Sequence, residues 1–263
     1  MEKLRPHMFD EDRLERSKRI SWLDLDRMTE TICLVVGAGA LGNEVVKNLI
    51  LSGFRHIELV DMDHVVRSNL NRCVFFREGD AEKGLMKSEI VASRASELDP
   101  LSTIVPKVAR VETYDVKRFR SFDLIFGCLD NIAARLHVNS HAYIAGVPYI
   151  DGGTHGFRGK VQVVIPPHTP CLQCAMNRTH YRVMEKRFSC TGADVNYYEP
   201  KTPAEITTTS VVAAIQVREA VKIASGRPDR SIHNVMFYDG LNGTSENIEV
   251  DIDPDCPMHR PNP

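Results

Sequence analysis

The sequence has no long apolar stretch and no marked excess of either charge. No hydrophobic run approaches the roughly 18 residues of a membrane-spanning helix, and the N-terminus, with Lys3, Arg5 and Asp10, lacks the apolar core of a signal peptide. A formal net charge of -2 favours neither nucleic acid nor an anionic membrane as a partner. These absences predict a cytoplasmic protein that binds no nucleic acid and no membrane.

The seven cysteines do not suggest a disulfide framework. Disulfides are rare in cytosolic proteins, so we interpret the cysteines as free thiols or metal ligands, and the odd count leaves room for a reactive one. The 263 residues allow one large domain or two small ones, with ample length for a buried core.

A glycine motif follows the first strongly apolar segment. The β-type run Ile32–Val36 leads into Gly37, Gly39 and Gly42, which have the spacing Gly-x-Gly-x-x-Gly, and a helix is predicted from there to about Leu51. Such glycines permit a tight turn and close approach of a phosphate to the backbone, while the helix start offers N–H groups and a positive dipole end. Alone, the motif also fits a glycine turn that merely packs a helix on a sheet.

The next segment favours ATP over NAD. A second predicted strand, residues 56–60, ends at Asp61, which lies about 20 residues beyond the glycines, where a carboxylate can bond a ribose hydroxyl. Asp63, Asn69 and Arg72 follow and add polar and cationic groups beside the phosphates. Hydride transfer to a nicotinamide needs no such cluster, whereas charge that develops on a phosphoryl group does.

Two further segments add candidate phosphate and magnesium ligands. A predicted helix runs from Met86 to Leu98, and its Lys87 is either a second phosphate ligand or an exposed helix charge. Residues 122–129 form a predicted buried parallel strand that ends at Asp130 and Asn131. Because ligands bind at the carboxyl ends of strands in open α/β sheets, we expect a magnesium or phosphate role for Asp130, although it could also cap the next helix.

Taken together, the segments from Gly37 to Asp130 and the motif at residues 151–159 resemble the ubiquitin-activating enzyme superfamily. This superfamily includes the bacterial sulfur-carrier adenylyltransferases of molybdopterin and thiamine synthesis, and the resemblance covers residues 10–260. It implies that Asp61 holds the ribose and that Asp130 holds Mg²⁺. It also implies that Asn69, Arg72 and Lys87 hold the phosphates.

The resemblance also predicts a homodimer. Arg13 and Arg16 look like the N-terminal arginine motif of the family, in which one arginine reaches the active site of the partner subunit, and we assign that role to Arg16. Cys73 departs from the family, which has a glutamine after the Arg72 position, and so no role is carried over to its side chain.

Two ligand pairs predict a structural zinc. Cys171 and Cys174 form one pair, Cys256 and His259 the other, and both have two residues between the ligands. Four soft donors satisfy a tetrahedral Zn²⁺ and leave no position open for catalysis. The family has four cysteines here, so His259 is a departure, but imidazole is an acceptable substitute.

Cys190 is the predicted catalytic thiol. Its Cys-Thr context and the Pro-Ala-x-x-Thr-Thr stretch that starts at Pro203 look like the eukaryotic-type activating enzymes, in which such a cysteine forms a thioester. A thiolate is a strong nucleophile once its pKa is lowered. The alternative is an incidental loop thiol. The remaining cysteines, Cys33, Cys73 and Cys128, are interpreted as core or pocket-wall residues.

The predicted fold is an α/β, Rossmann-like doubly wound sheet, parallel in its first half and continued by antiparallel strands near residues 160–165, 234–239 and 245–251. Residues 1–30 form an N-terminal helical segment. Residues 31–263 form the adenylation domain, with a mobile catalytic-cysteine insertion at about 175–206 and a helix over 211–224.

The resemblance implies a two-step reaction. The C-terminal carboxylate of a ubiquitin-like protein attacks the α-phosphate of ATP and releases pyrophosphate, while Arg72, Lys87 and Mg²⁺ at Asp130 offset the charge. Cys190 then displaces AMP, and a conjugating enzyme accepts the thioester. The 263 residues leave no room for the ubiquitin-like domain that recruits this enzyme in eukaryotic relatives, so we expect recruitment on the core itself or on a different surface.

Three other interpretations stay open. A sulfur-carrier adenylyltransferase would share every nucleotide residue but would form no thioester, and Cys190 argues against it. A non-catalytic partner subunit is disfavoured by the intact Arg72, Lys87 and Asp130. An NAD oxidoreductase is disfavoured by the same charged cluster.

Overall fold

One eight-stranded sheet organises the part of the chain described by the computed structural model, residues 12–176, 203–232 and 235–259. Its spatial order is β3-β2-β1-β4-β5-β6-β7-β8. In chain order the strands are β1 (Ile32–Val36), β2 (His56–Val60), β3 (Thr103–Lys107), β4 (Leu124–Gly127), β5 (Tyr149–His155), β6 (Arg158–Val164), β7 (Val235–Asp239) and β8 (Thr244–Ile248).

The strands from β3 to β5 are parallel and those from β5 to β8 are antiparallel, as the sequence predicts. Strand order reverses between β1 and β4, because the chain first builds outwards through β2 and β3 and then returns to the other side of β1. In this register Val36 lies opposite both Val60 and Gly127. Ligands of doubly wound folds bind at such a reversal point, beyond the carboxyl ends of the strands.

Helices cover both faces of the sheet. In chain order they are α1 (Glu15–Lys18), α2 (Leu25–Glu30), α3 (Ala40–Ser52), α4 (Glu78–Lys83), α5 (Lys87–Ser96), α6 (Val116–Phe119), α7 (Ile132–Ala145) and α8 (Ile206–Ala224). Side chains alternate between the two faces of a strand. Accordingly, Cys33 and Val35 of β1 join the core under α3, α5 and α8, while Leu34 and Val36 join the core under α6 and α7.

The main differences from the predictions concern β5, the start of α8 and the cap of α7. β5 was expected only as a motif, yet it pairs with β4 on one side and β6 on the other. α8 begins at Ile206 and not at residue 211, because the Glu205 carboxylate accepts hydrogen bonds from Thr207 N and Thr208 N and caps the helix. The cap of α7 is Asn131, whose side chain accepts from Ala133 N at 2.9 Å, so Asp130 is not the cap.

The N-terminal helical segment consists of two short helices, α1 and α2, within its described part. Most of the predicted insertion, residues 177–202, lies outside the described residues. Cys190 belongs to this part of the insertion. No helix in the described ranges is both long and apolar enough to cross a bilayer.

Candidate functional site

The glycine turn, residues 37–42, is closed by backbone contacts that exclude side chains. A Cβ on Gly42 would lie 1.8 Å from Gly37 O, and one on Gly37, whose φ is 100°, would lie 2.5 Å from Cys128 O. A Cβ on Gly39 would meet nothing within 4 Å. The turn is therefore tight against the sheet and open at Gly39, a shape that admits a ligand close to the backbone.

Helix α3 begins at this opening. Gly39 is its N-cap and supplies no capping side chain, and the first N–H groups of a helix have no carbonyl in the preceding turn to bond. The amides of Ala40 and Leu41 therefore face the opening with the positive end of the helix dipole. This arrangement is suited to an anion.

Asn43 fixes the turn, and the sequence reasoning did not single it out. It is fully buried, its Nδ2 donates to Ala38 O and Gly39 O at 2.9 Å each, and its Oδ1 accepts from Phe75 N at 3.0 Å. An asparagine that ends an otherwise apolar first helical turn, Ala40–Gly42, is the signal that could have identified it, because a buried amide requires partners.

Asp61 also supports the glycine turn. One carboxylate oxygen accepts from Ala38 N and the other from Asp63 N, both at 2.7 Å. Burial raises the pKa of Asp61, while the nearby Lys87 charge and these two N–H donors act in the opposite direction. The predicted ribose contact would use the lone pairs that these bonds leave.

Lys87 forms an ion pair with Asp63, close to Asp61. Its Nζ lies 2.8 Å from Asp63 Oδ2, and its backbone N–H donates to Asp63 O at 2.9 Å. The Lys87 side chain is only 12% exposed, whereas that of Asp63 is 57% exposed. The cation is therefore held at the carboxyl end of β2 by a partner that solvent or a ligand can reach.

The loop between β2 and α4 carries Asn69 and Arg72. Asn69 is buried, and its Oδ1 accepts from Val66 N at 3.1 Å, which closes a short turn. Arg72 donates to Ser68 O and, at 3.0 Å, to Asn71 Oδ1. Its charge has no carboxylate partner in the described residues, so it can offset the charge of an anion.

Asp130 and Asn131 follow β4, next to the glycine turn. Cys128 N donates to Val36 O at 2.9 Å, which holds the end of β4 against β1. From α8, Gln216 Nε2 donates to Gly127 O at 3.1 Å and to Ile150 O at 2.9 Å. Asp130 is exposed at the same edge of the sheet as Asp61. Sequence reasoning missed Gln216, which acts from a helix far along the chain.

A buried ion pair lies under the same edge. Asp151 is fully buried; it accepts from Arg135 Nε at 3.0 Å and from the Tyr149 hydroxyl at 2.8 Å, and the Arg135 Nη2 group also contacts it. A Cβ on Gly153 would lie 3.1 Å from the Arg135 guanidinium. The sequence motif at residues 151–159 thus starts with a carboxylate that anchors α7 to β5.

Arg16 does not join these residues within one chain. Next to it, Arg13 pairs with Asp99 at 2.7 Å and Leu14 lies against Gly53. Gly53 and Asp99 precede the amino ends of β2 and β3, at the edge opposite the glycine turn. The exposed Arg16 therefore lies on a segment at the edge opposite the nucleotide residues of its own chain.

The four predicted metal ligands lie together. Their ligand atoms are all within 4.8 Å of one another, with Cys171 Sγ at 3.9 Å from Cys174 Sγ and 3.6 Å from Cys256 Sγ. Sulfurs bound to one tetrahedral zinc lie about 3.8 Å apart. His259 Nε2 is buried and has no hydrogen-bond partner in the described residues. This metal cluster therefore has the donors, the spacing and an unsatisfied nitrogen that fit Zn²⁺.

The described cysteines outside the metal cluster are poor nucleophiles. Cys33, Cys73 and Cys128 are buried, as predicted, and burial raises the pKa of the Cys73 thiol to about 11 and that of the other two further. Thiols with such pKa values stay protonated near neutral pH.

The predicted insertion joins the described fold at two fixed points. It follows Cys174 of the metal cluster, and it returns at Pro203, whose carbonyl accepts from Gly156 N at 2.8 Å. Ala204 then forms a parallel bridge with Gly156 in the β5–β6 turn.

Known proteins share this fold. Escherichia coli MccB, in a crystal structure with ATP, superposes with a TM-score of 0.78 at 19% identity, covering 97% of this chain and 75% of that one. A second crystal structure of Escherichia coli MccB superposes with a TM-score of 0.75. At this identity the likeness establishes the fold alone.

Curated relatives are more similar in sequence over a shorter span. The chain is 36% identical over 153 residues to an E1-like ubiquitin-activating enzyme of Saccharomyces cerevisiae, covering 58% of this chain and 24% of that protein. It is 39% identical over 158 residues to the NEDD8-activating enzyme E1 catalytic subunit of Arabidopsis thaliana, covering 54% and 34%. The chain thus spans about a quarter to a third of the length of these relatives. Residues 12–258 match the ThiF family, and the chain therefore belongs to that family.

Proposed function

We propose that this chain adenylates the C-terminal carboxylate of a ubiquitin-like protein. The observation that carries the proposal is the meeting of the open glycine turn, Asp61, Lys87 and Asp130 at the carboxyl ends of β1, β2 and β4. The relatives named for activating ubiquitin and NEDD8 support the substrate class.

ATP would bind with its phosphates over Gly39 and the start of α3. Asp61 would hold the ribose with the lone pairs that Ala38 N and Asp63 N leave free. Asp63 is the exposed partner of Lys87, so it can yield Lys87 to a phosphate and remain near the ribose itself. Asn69 and Arg72 would contact the phosphates from the opposite loop.

The chain would promote the reaction by neutralising phosphate charge and by positioning the two reactants. The substrate carboxylate attacks the α-phosphorus, the bond to the bridging oxygen breaks, and pyrophosphate leaves with the electron pair. Arg72 and Lys87 would offset the charge that the phosphates carry. Asp130, with Asn131 beside it, would hold Mg²⁺, which neutralises phosphate charge when bound. The chain binds two reactants in line and so lowers the entropic part of the barrier.

The metal cluster would hold a structural zinc. Cys171, Cys174, Cys256 and His259 fill a tetrahedral site, so zinc here supplies stability and not catalysis. It would join the loop before the insertion to the segment near residue 256, both of which lie against α7.

In a second step, Cys190 would attack the acyl-adenylate. Its thiolate forms the thioester bond, AMP leaves with the other electron pair, and a conjugating enzyme then takes the acyl group. Two observations support Cys190: the other non-metal cysteines are buried with raised pKa values, and the insertion returns to the fold at Gly156, beyond the end of β5. The proposed assembly is a homodimer in which Arg16 serves the partner's nucleotide site.

A second candidate is adenylation without thioester formation, as in a sulfur-carrier adenylyltransferase. The matches to the named activating enzymes cover little more than half of this chain, and Cys190 lies outside the described residues, so the thioester step has less support than adenylation. Both candidates require the same nucleotide residues.

Pyrophosphate exchange tests the shared step. With ATP, Mg²⁺ and a panel of ubiquitin-like proteins, Arg72→Ala and Asp130→Ala should each abolish exchange and leave the fold intact, because they remove charge and not core contacts. Arg67→Ala is the matched control, since Arg67 lies on the same loop but forms exposed ion pairs with Glu78 and Glu82. Retained exchange in both test variants would refute the adenylation site.

A further inference from the structure

Helix α7 presents two polar side chains to the metal cluster. Asn139 and Tyr143 are four residues apart and so occupy one face of the helix. Asn139 Oδ1 accepts from Leu172 N at 3.0 Å, between Cys171 and Cys174. The Tyr143 hydroxyl lies 3.1 Å from Nδ1 of His259. One helix therefore contacts both ligand pairs, although Cys171 and Cys256 are 85 residues apart in sequence.

The two nitrogens of His259 have different surroundings. Nδ1 faces the Tyr143 hydroxyl, and the two rings lie 4.7 Å apart between centroids at an angle of 57°. Nε2 is buried and has no partner in the described part of the chain. A neutral imidazole has one N–H and one lone pair on nitrogen. When Nδ1 donates its proton to the tyrosine oxygen, Nε2 keeps the lone pair that a metal requires.

Asn139 has a matching arrangement toward the first ligand pair. The residue is fully buried, and its Nδ2 has no hydrogen-bond partner in the described residues. It lies beside the Cys171 thiol. A buried amide donor without a partner is costly, and a metal-bound thiolate would accept its hydrogen bond.

We propose that Tyr143 is a positioning residue that fixes the tautomer and ring orientation of His259 so that Nε2 binds zinc, with Asn139 donating to the Cys171 thiolate. The inference rests on the zinc assignment proposed above. It explains why this site tolerates a histidine: a thiolate binds through one atom, whereas an imidazole has two possible ligand atoms and needs a partner to select one.

A double-mutant cycle on metal affinity tests this proposal. Zinc affinity is measured by competition with a chromogenic chelator, and Co²⁺ absorption reports the ligand set. Tyr143→Phe, which retains the ring, should weaken zinc binding about 10–100-fold. In a His259→Cys background the same change should alter affinity by less than about threefold, because a thiolate has no second nitrogen to orient. Tyr238→Phe on β7 is the control.

The possible outcomes separate the role of Tyr143 from the zinc assignment itself. Equal losses in the two backgrounds, or no loss in either, would overturn the role of Tyr143 while leaving the zinc site in place. Failure of the wild-type protein to bind zinc or give a thiolate–Co²⁺ absorption band would overturn the zinc assignment and the inference together. Neither result bears on adenylation, which pyrophosphate exchange measures separately.

Discussion

At the scale of single residues, the glycines at the start of α3 have different roles. Gly42→Ala would place a Cβ 1.8 Å from Gly37 O, so the turn must open, and both thermal stability and ATP affinity should fall. Gly39→Ala meets no protein atom within 4 Å and should cost at most about 1 kcal/mol through capping. Its Cβ would nevertheless occupy the proposed phosphate position and weaken ATP binding.

Thermal denaturation and ATP calorimetry separate these effects. Gly79→Ala on α4, where a Cβ also meets nothing within 4 Å, is the control; it should leave ATP affinity unchanged and should not lower thermal stability, because alanine favours a helix over glycine. Unchanged ATP affinity in Gly39→Ala would place the phosphates elsewhere.

The Arg135–Asp151 pair should matter for stability. Asp151→Asn leaves a largely buried guanidinium without its countercharge, and removal of one partner of a buried pair costs about 3–5 kcal/mol. Urea unfolding measures the loss. An exposed pair, Arg19 with Glu15, provides the comparison, and Glu15→Gln should cost under about 1 kcal/mol. Similar small losses in both variants would contradict the importance of the buried pair.

Sequence patterns identified the residues with local signals and missed those that depend on distant partners. The glycine spacing, Asp61 and the four metal ligands could be found because motif spacing determines their position. Gln216 and the Arg135–Asp151 pair could not, because their partners come from other strands and helices. The functional roles assigned to all of these site residues remain predictions, those of the glycines, Asp61 and the four metal ligands as much as those of Asn69, Arg72, Lys87, Asp130, Arg16 and Cys190.

At the scale of elements, apolar runs such as β1 were predicted well because strands buried on both faces are almost entirely hydrophobic. β5 was missed because Asp151, Gly152 and Gly153 have low strand propensity, and its pairing depends on β4 and β6. The start of α8 was placed too late because threonine has modest helix propensity, which the Glu205 cap overcomes.

This cap predicts a pH dependence of stability. Hydrogen bonds to the carboxylate, of which the one from Thr208 N has the largest effect, lower the pKa of Glu205 to about 2 from an ordinary value of 4.5. Because the folded-state pKa is depressed, the stabilisation is present above pH 4.5 and is lost as the pH falls toward 2. Glu205→Ala should cost about 0.5–2 kcal/mol at neutral pH.

Urea unfolding at pH 6.5 and pH 3.5 measures this effect. The difference between wild type and Glu205→Ala should shrink at the lower pH. Glu30→Ala, at the last residue of α2, is the control. A difference that stays constant between the two pH values would contradict the charged cap.

Zinc bound at the metal cluster should stabilise the packing of α7 against the two segments that carry the ligands, residues 171–174 and 256–259. We expect stoichiometric zinc by elemental analysis, and we expect chelation or Cys171→Ser to lower the unfolding temperature, because a bound metal couples sequence-distant segments. Cys33→Ser, away from the cluster, should leave metal content unchanged. Zinc-free folded protein of undiminished stability would contradict this prediction.

At the scale of the whole molecule, the position of α1 predicts a site shared between subunits. Arg16→Ala and Asp130→Ala should each abolish exchange in homodimers. Mixing the two variants should restore about a quarter of wild-type exchange, because half of the randomly formed dimers contain one intact site. Arg19→Ala is the control on the same segment, where Arg19 pairs with Glu15. No recovery in mixed dimers would contradict a contribution from the partner.

The most direct test of the central claim follows the two half-reactions with the cognate ubiquitin-like protein in wild type and Cys190→Ala. We expect carrier-dependent pyrophosphate exchange in both proteins and a thiol-sensitive adduct on electrophoresis in wild type alone. An adduct that persists in Cys190→Ala would contradict the assigned nucleophile, and exchange without any adduct would favour the sulfur-carrier reaction. Absence of exchange with every carrier, from folded protein that binds ATP, would contradict the central claim.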